Sequence, residues 1–526
     1  MKIQPIYDLI VIGGGINGAG IAADAAGRGL AVLLCEQNDL ANATSSASSK
    51  LIHGGLRYLE YYDFSLVKSA LRERKILYKT APHLVKPMRF VVPYVNTIRS
   101  FWFIRLGLYL YDLLGASFIF KRSKAISLKP TTDNPLKRTL RKGFIYTDCF
   151  VDDARLVISN ALRAKQYGAQ IATRVKCVKA QRMQDYWQVH LQDCLSNEHY
   201  VVKAKALVNA AGPWVNAVID NVLHLPSKNK IRLVKGSHII VPKLHNREQA
   251  YVLQHKDARI VFVIPYLNQF SLIGTTDMDY QGNPAEVQIN HQEKEYLCDI
   301  VSEYFHHPLK SEQIVDAWSG VRPLLDDSSA NLSAINRGYK IEVQLDDKKS
   351  LPLINVFGGK LTTYRLLSEK VVDTLCPFFP QAKSAWTAKR ALPGGDLPER
   401  DFRLFLETLS QKYPWLPSFL LMRYAQTYGT LTYELLTGVN CVDDLGRDFG
   451  HGLYEKEIKY LIEQEWAKTA DDILLRRSKL GFLMTADEKD KVRQWVDLTI
   501  NQLHRIEPSS HSGRNKPNHQ TNEYRD

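Results

Sequence analysis

A chain of 526 residues with 45% hydrophobic and 24% charged residues has the make-up of an ordinary soluble globular protein, at about two to four domains by length. No run of 18 residues is free of charge, which excludes a polytopic membrane protein, and the apolar content excludes a disordered or collagen-like one. The net charge of +14 asks where the basic residues lie.

The N-terminal run Ile6 to Ile12 has the composition of a buried parallel strand and leads into GGGINGAG. Gly13 permits a tight turn, Gly15 lets a pyrophosphate approach the backbone, and Gly18 allows close strand–helix packing, with Asn17 inside the same turn. A helix is expected to about Arg28 and a second strand over Ala31 to Cys35, stopping at Glu36, a carboxylate placed to accept ribose hydroxyls. A helix N-terminus offers unpaired amides and partial positive charge to phosphate. Strand, fingerprint, helix, strand and terminal acid in this order predict a dinucleotide site. The next segment, Thr44 to Glu60, is rich in hydroxyls and ends in His–Gly–Gly–x–Arg–Tyr. Thr44, Ser45, Ser46, Ser49, Lys50 and Leu51 are candidate cofactor-lining residues, followed by His53, Arg57 and Tyr58 as candidate chemistry.

Residues 64–142 carry 17 lysines and arginines against three acidic residues, Glu73, Asp112 and Asp133, so this window alone accounts for the whole excess of +14. Inside it, Phe101 to Phe120 holds only Arg105 and Asp112 as charges, seven residues apart and therefore on nearly one side of a helix. Two central charges argue against a spanning helix. An aromatic helix flanked by basic residues suits an anionic membrane interface; a core helix beside an anionic-substrate site is the other reading. No nucleic-acid motif accompanies the charge, so nucleic-acid binding is not expected.

The seven cysteines have no metal-ligand or redox-pair spacing, and the N-terminus has no signal-peptide layout, which points to free thiols in a reducing cytoplasm. Asp277-x-Asp279 superficially resembles the start of a calcium loop, but the glycine and closing glutamate are misplaced, so no metal is expected. ALPGG at Ala391 to Gly395 punctuates the chain. Helical periodicity follows from about 398 to 503, with helices expected over Glu455 to Trp466 and Ala486 to Leu503, a break at Tyr413 to Pro417, and a polar tail expected to be disordered. The expected division is 1–390 catalytic (cofactor parts about 1–60, 145–220 and 350–390), 391–505 helical, and 506–526 tail.

These motifs, with LVNAAGPWV, GSHIIVP, FVIPY, IGTTD, SGVRPL and VFGGKLTTYR, resemble the FAD-dependent respiratory glycerol-3-phosphate dehydrogenases of bacteria over nearly all of Tyr7 to about Leu503. The resemblance implies an α/β flavin domain of the glutathione-reductase type, an inserted antiparallel-sheet substrate domain and a C-terminal all-helical domain. It implies FAD, with Ala211 and Gly212 passing the pyrophosphate, backbone near Val178 at the adenine, and Gly359, Lys360, Leu361 and Thr362 at the pyrimidine end of the isoalloxazine. A helix N-terminus there stabilises the negative charge of reduced flavin. It further implies oxidation of glycerol 3-phosphate to dihydroxyacetone phosphate, with membrane quinone as acceptor and peripheral attachment to the inner face of the cytoplasmic membrane.

Arginine's planar fork suits a phosphate. Arg57 beside Tyr58, and Arg322, match the family's clamp positions, with Arg337 and Lys360 as further contributors. Thr275 and Thr276 are expected at the substrate hydroxyls or behind the clamp, and His53 is the favoured proton acceptor. A glycerol-3-phosphate oxidase using oxygen, an amine or amino-acid oxidase, and a non-enzymatic basic protein with a structural flavin remain alternatives, and a homodimer stays open.

Overall fold

The run Ile6–Ile12 (β1) forms the central strand of a parallel sheet and is buried along most of its length. The computed structural model describes residues 3–95, 99–115, 119–129, 131, 133–256, 259–326 and 338–506, with side chains to residue 502. After β1 the chain turns at Gly13 into the helix Ile16–Gly27 (α1) and returns as Val32–Glu36 (β2). Five parallel strands lie in the order Gln170–Thr173, β2, β1, His199–Asn209 and Leu353–Gly358, and Tyr339–Gln344 adds an antiparallel edge. In chain order the parallel strands read 3-2-1-4-5, the dinucleotide-binding arrangement, in which ligands sit at the carboxyl ends of the strands. An apolar cluster of α1, Asp153–Gln166 and Tyr364–Leu375 covers one face. The meander Val175–Arg182, Trp187–Asp193 and the first half of His199–Asn209 contributes to the cluster on the other. Burial on both faces explains why these strands read as unbroken apolar runs.

A second, ten-stranded sheet is antiparallel except where Ala250–Gln254 runs parallel to Val85–Pro93. Its strand Ile231–Pro242 pairs along its length with Asp316–Leu325, bringing the GSHIIVP and SGVRPL motifs side by side. The expected architecture of flavin domain, inserted antiparallel sheet and C-terminal helices is therefore present. The helices Phe402–Lys412, Ser418–Tyr428, Glu455–Glu465 and Ala486–Ile506 enclose an apolar cluster of their own, from Leu397 to Val496.

Buried ion pairs tie this helical part to the rest. Arg477 donates to Asp39 Oδ1 at 2.8 Å, Arg174 to Asp472 Oδ1 at 2.8 Å, and Arg155 to Glu465 Oε1 at 2.9 Å. Arg476 also pairs with Asp39, and Lys479 with Asp152. Removing one partner of such a pair leaves an uncompensated buried charge, a loss of about 3–5 kcal/mol.

The basic window contains two helices, Phe64–Thr80 (α2) and Phe101–Gly115 (α3), which pack together. The helix is described through Gly115, and residues 116–118 lie outside the described residues. Phe120 turns back into the core, where the Arg74 guanidinium lies 4.3 Å from its ring centroid. Arg105 and Asp112 do share a side of α3, and that side faces inward: Arg105 donates to Ser123 Oγ at 3.2 Å, and Asp112 accepts from Ser123 N and Oγ at 2.8 and 2.6 Å. Trp102, Phe103, Leu106, Tyr109 and Leu113 are left 78%, 53%, 56%, 57% and 61% exposed.

Close packing of β1 against α1 leaves no room for a side chain at Gly18. A Cβ on Gly18 would lie 1.9 Å from Gly13 O. Gly18→Ala should destabilise by at least the 1–3 kcal/mol typical of overpacking (about that range) and yield protein with little bound flavin, read by calorimetry and the visible-to-protein absorbance ratio. Unchanged melting and flavin content would mean the turn relaxes around a methyl.

Candidate active site and cofactor cleft

A cavity of about 760 Å³ runs along the carboxyl ends of the parallel strands and out against the second sheet. Its lining takes in Gly13, Gly15, Asn17 and Glu36, then Thr44, Ser45, Ser49, Ala211 and Gly212, and also His53, Tyr58, Thr275, Arg322, Lys360 and Thr362, with Thr275 and Arg322 marking the end toward the second sheet.

The N-terminus of α1 opens on this cavity with Gly15 as its cap, no capping side chain and no acidic residue in its first turn. Such a terminus suits a pyrophosphate. Ser45 Oγ accepts Ile16 N–H at 3.0 Å, closing the cradle from the loop side. The Glu36 carboxylate accepts Gly14 N–H at 2.7 Å and Asn38 N–H at 2.8 Å, and each oxygen keeps a lone pair for a ribose hydroxyl. Burial pushes its pKa upward, opposed by those two amides. Asn17 Nδ2 donates to Gly358 O at 3.1 Å, while its Oδ1 is buried without a partner. Val178 lines the cavity where the ladder with Trp187–Asp193 skips a residue between Cys177 and Lys179, so this bulge takes Val178 out of the strand pairing. The glycine cradle, the uncapped helix end and the ribose acid together fit FAD.

At the far end, Gly359 has φ +103° and turns the chain into a single tight turn, Leu361–Thr363, before the helix Tyr364–Leu375 begins. The expected helix start is thus preceded by one 3₁₀ turn. Lys360 Nζ sits 3.8 Å from the Tyr58 ring centroid. Thr362 Oγ1 accepts the His53 backbone N–H at 3.2 Å. Arg322 donates from Nη2 to Thr275 Oγ1 at 2.9 Å, pairs with Asp277, and lies flat over Gly236, where a Cβ would fall 2.5 Å from Nη2. The guanidinium plane is therefore fixed before any substrate arrives.

Several sequence candidates sit elsewhere. Thr276 is buried behind the cavity, donating to Glu293 Oε1 at 2.7 Å and accepting Ser237 N–H at 2.9 Å. Lys50 points away from it because Asp153 draws its ammonium inward at 2.8 Å, with the Trp318 ring 5.0 Å off. Ser46, whose carbonyl accepts from Lys50 at 3.0 Å, faces a separate cavity with it. Gly18 packs under Gly13 and does not line the cavity. Arg57 is half-buried on the turn Leu56–Tyr61, outside the cavity lining, with Nε lacking a partner. Arg337 lies outside the described residues. Asp277 and Asp279 are spent on Arg322 and Arg232.

Sequence reasoning missed His238 and Asp39. His238 Nε2 is 2.8 Å from Ser49 Oγ and its ring stacks on Trp318. The only available signal was the polar residue inside the apolar strand GSHIIVP. Asp39 follows the ribose acid by three residues and is gripped by Arg476 and Arg477 from the other end of the chain, a pairing invisible to local pattern.

The cleft defines the class: a flavin-dependent oxidoreductase. Residues 8–346 match the family model described as FAD dependent oxidoreductase, and residues 385–505 that of the C-terminal domain of alpha-glycerophosphate oxidase. A glycerol-3-phosphate dehydrogenase of Pseudomonas aeruginosa is 51% identical, over 94% of this chain and 96% of the relative. A D-erythritol 1-phosphate dehydrogenase of Brucella abortus is 46% identical, over 93% of this chain and 97% of the relative. The crystal structure of the glycerol-3-phosphate dehydrogenase from Bacillus halodurans complexed with FAD superposes with a TM-score of 0.71 at 27% identity, covering 94% of each chain. The chain belongs to the FAD-dependent glycerol-3-phosphate dehydrogenase family.

Two buried histidines should shape the pH dependence of stability. Burial, aided by Arg155 and Lys86, drives His83 from 6.5 to about 3, and burial with Arg322 and Lys50 nearby drives His238 well below 6.5. Both stay neutral when folded, so their contribution is complete above about 6.5 and is lost as pH falls from there toward the folded values. His83→Gln should flatten the pH dependence of urea unfolding between pH 6 and 5 by about 1.4 kcal/mol per pH unit, one proton's worth. An unchanged slope would mean that His83 titrates normally in the fold.

Proposed function

We propose that this chain oxidises sn-glycerol 3-phosphate to dihydroxyacetone phosphate and delivers the electrons to membrane quinone while docked on a bilayer. The observation carrying the reading is that Arg322, Lys360, His53, Tyr58 and Thr275, drawn from four separated segments, line one end of the flavin cavity. Arg322 and Lys360 hold the phosphate, Arg322 with its plane set by Thr275 and Asp277. Thr275 and Tyr58 flank the carbon chain. His53 takes the proton of the C2 hydroxyl on a ring nitrogen, imidazole being the side chain most often used as a general base. FAD, when bound, supplies the hydride acceptor. A longer polyol phosphate is the second reading, favoured by the resemblance to the D-erythritol 1-phosphate enzyme, and the same clamp would serve it.

Anaerobic addition of glycerol 3-phosphate should bleach the flavin band, and later addition of quinone should restore it faster than oxygen does. Bleaching only by erythritol 1-phosphate would select the second reading. Arg322→Ala should keep FAD and raise the KM for the phosphate substrate by about 10–100-fold, the loss of a charged hydrogen bond. His53→Asn should slow flavin reduction by about 10²–10⁴. Flavin loss in the first variant, or a full rate in the second, would move that residue out of its role.

The bilayer reading is supported by the exposed stripe of α3 and by exposed Lys121, Arg122 and Lys124 on the segment that packs against it through Ser123. Among the described residues no helix is long and apolar enough to cross a membrane. Phe103→Glu with Leu106→Glu should abolish flotation with anionic liposomes and leave dye-coupled oxidation unchanged; intact flotation would place the docking face elsewhere.

A further inference from the structure

The turn that carries His53 is held from two sides. On the flavin side, the His53 N–H donates to Thr362 Oγ1 at 3.2 Å. On the opposite side, the N–H of the next residue, Gly54, donates to Tyr111 Oη at 2.8 Å. Tyr111 comes from the inner face of α3, and its hydroxyl donates onward to the Asp148 carboxylate, 2.7 and 2.8 Å from the two oxygens. Arg74 pairs with that carboxylate and also donates to Thr147 O at 2.7 Å. Tyr111, Asp148 and Arg74 are all buried. Gly54 is pressed flush against the phenol: an added Cβ would lie 2.6 Å from Tyr111 Oη and 2.5 Å from Leu71 Cδ2. Gly55 then reverses the chain at φ +75° into the turn bearing Tyr58.

We propose that Tyr111 is a positioning residue for the reaction: its hydroxyl fixes the His53–Gly54 turn and so sets the direction from which the imidazole meets the substrate hydroxyl. Phenol is suited to this task because one oxygen accepts the Gly54 N–H and donates to Asp148 at the same time. Burial and the adjacent carboxylate hold the phenol protonated far above neutral pH, so the donor is always available. Arg74 compensates the buried Asp148 charge independently of Tyr111, so the carboxylate is not stranded when the hydroxyl is removed. Without it, Gly54 N–H has only Asp148 Oδ1 at 3.4 Å, too long to hold the turn rigidly. Small displacements of a catalytic group cost rate more than affinity.

The inference rests on His53 as the proton acceptor, and the test separates the two. Flavin reduction by glycerol 3-phosphate is followed anaerobically by stopped flow in the full-length, FAD-loaded protein, for Tyr111→Phe, His53→Asn and the double variant. Tyr111→Phe should lower the limiting rate about tenfold with the substrate's half-saturating concentration within twofold, since the Arg322 and Lys360 clamp is untouched. In the His53→Asn background the same change should do nothing further, because the group it positions is gone. An equal fall in both backgrounds would assign Tyr111 to general packing and overturn the proposal, as would an unaltered rate in the single variant. A full rate in His53→Asn alone would remove both the base and its positioning residue. Matched melting temperatures and flavin content exclude misfolding as the cause.

Discussion

One steric constraint organises this molecule: α1 must begin almost in contact with the end of β1. Gly13 turns with φ +112°, and Gly18 packs on its carbonyl with no room for a side chain. That contact aims the free end of α1 along the carboxyl edge of the sheet, the one place where unpaired amides and helix polarity can face a pyrophosphate. Everything else that defines the cleft is hung from this edge. Glu36 ends the neighbouring strand, Ala211 and Gly212 end the next one, and Gly358 and Gly359 end the one beyond. The second sheet then closes the far end with Arg322 and Thr275, so the glycine-rich edge of the cleft belongs to the first sheet and its arginine-bearing wall largely to the second.

The C-terminal helices add a constraint of a different physical kind. The segment 465–479 reaches both walls of the adenosine end: Asp39, three residues past the ribose acid, is held by Arg476 and Arg477, while Asp472 holds Arg174, whose own N–H donates to Asn38 O at 3.0 Å. These charges are largely buried, and their geometry is directional where apolar packing is not. Hydrophobic contact would allow the helical unit to slide over the flavin domain. Interlocked guanidinium–carboxylate pairs allow one registration, and they anchor it to the turn that carries Glu36.

Much of this was legible locally. The glycine fingerprint, Glu36, the LVNAAG strand end and the VFGGK turn each announce a backbone shape through residue types that few other shapes require. The substrate end was legible only through motifs, and there the residue type alone misled. Lys50 and Ser46 share the hydroxyl-rich loop with Ser45 and Ser49, yet Asp153, a hundred residues away, pulls the lysine out of the cleft. Thr276 differs from its neighbour Thr275 only in which way it faces, and Glu293 on a distant helix decides that. Tyr111 and Asp39 carried no local signal, and His238 only that of a polar residue in an apolar strand, because their partners are 57, 438 and 189 residues distant. A one-dimensional pattern reports what the backbone must do, whereas side-chain direction is settled by whichever buried charge or hydroxyl is left without another partner.

The same logic accounts for α3, whose sequence reads as an apolar helix with two misplaced charges. Those charges are what allow it to lie on the surface upside down. Arg105 and Asp112 are satisfied by Ser123 on the inner side, Tyr111 by Gly54 and Asp148, and the polar requirement of the helix is met entirely from within. The outward side is then free to be apolar, which for a helix in water alone would have no compensating gain. A helix built in this inverted way must keep its inner hydrogen bonds intact to stay in place, and one of those bonds ends on the residue beside His53. The surface stripe and the His53–Gly54 turn are consequently joined through one helix, whose inner side accepts the Gly54 N–H on Tyr111 while its outer side presents Trp102 and Phe103.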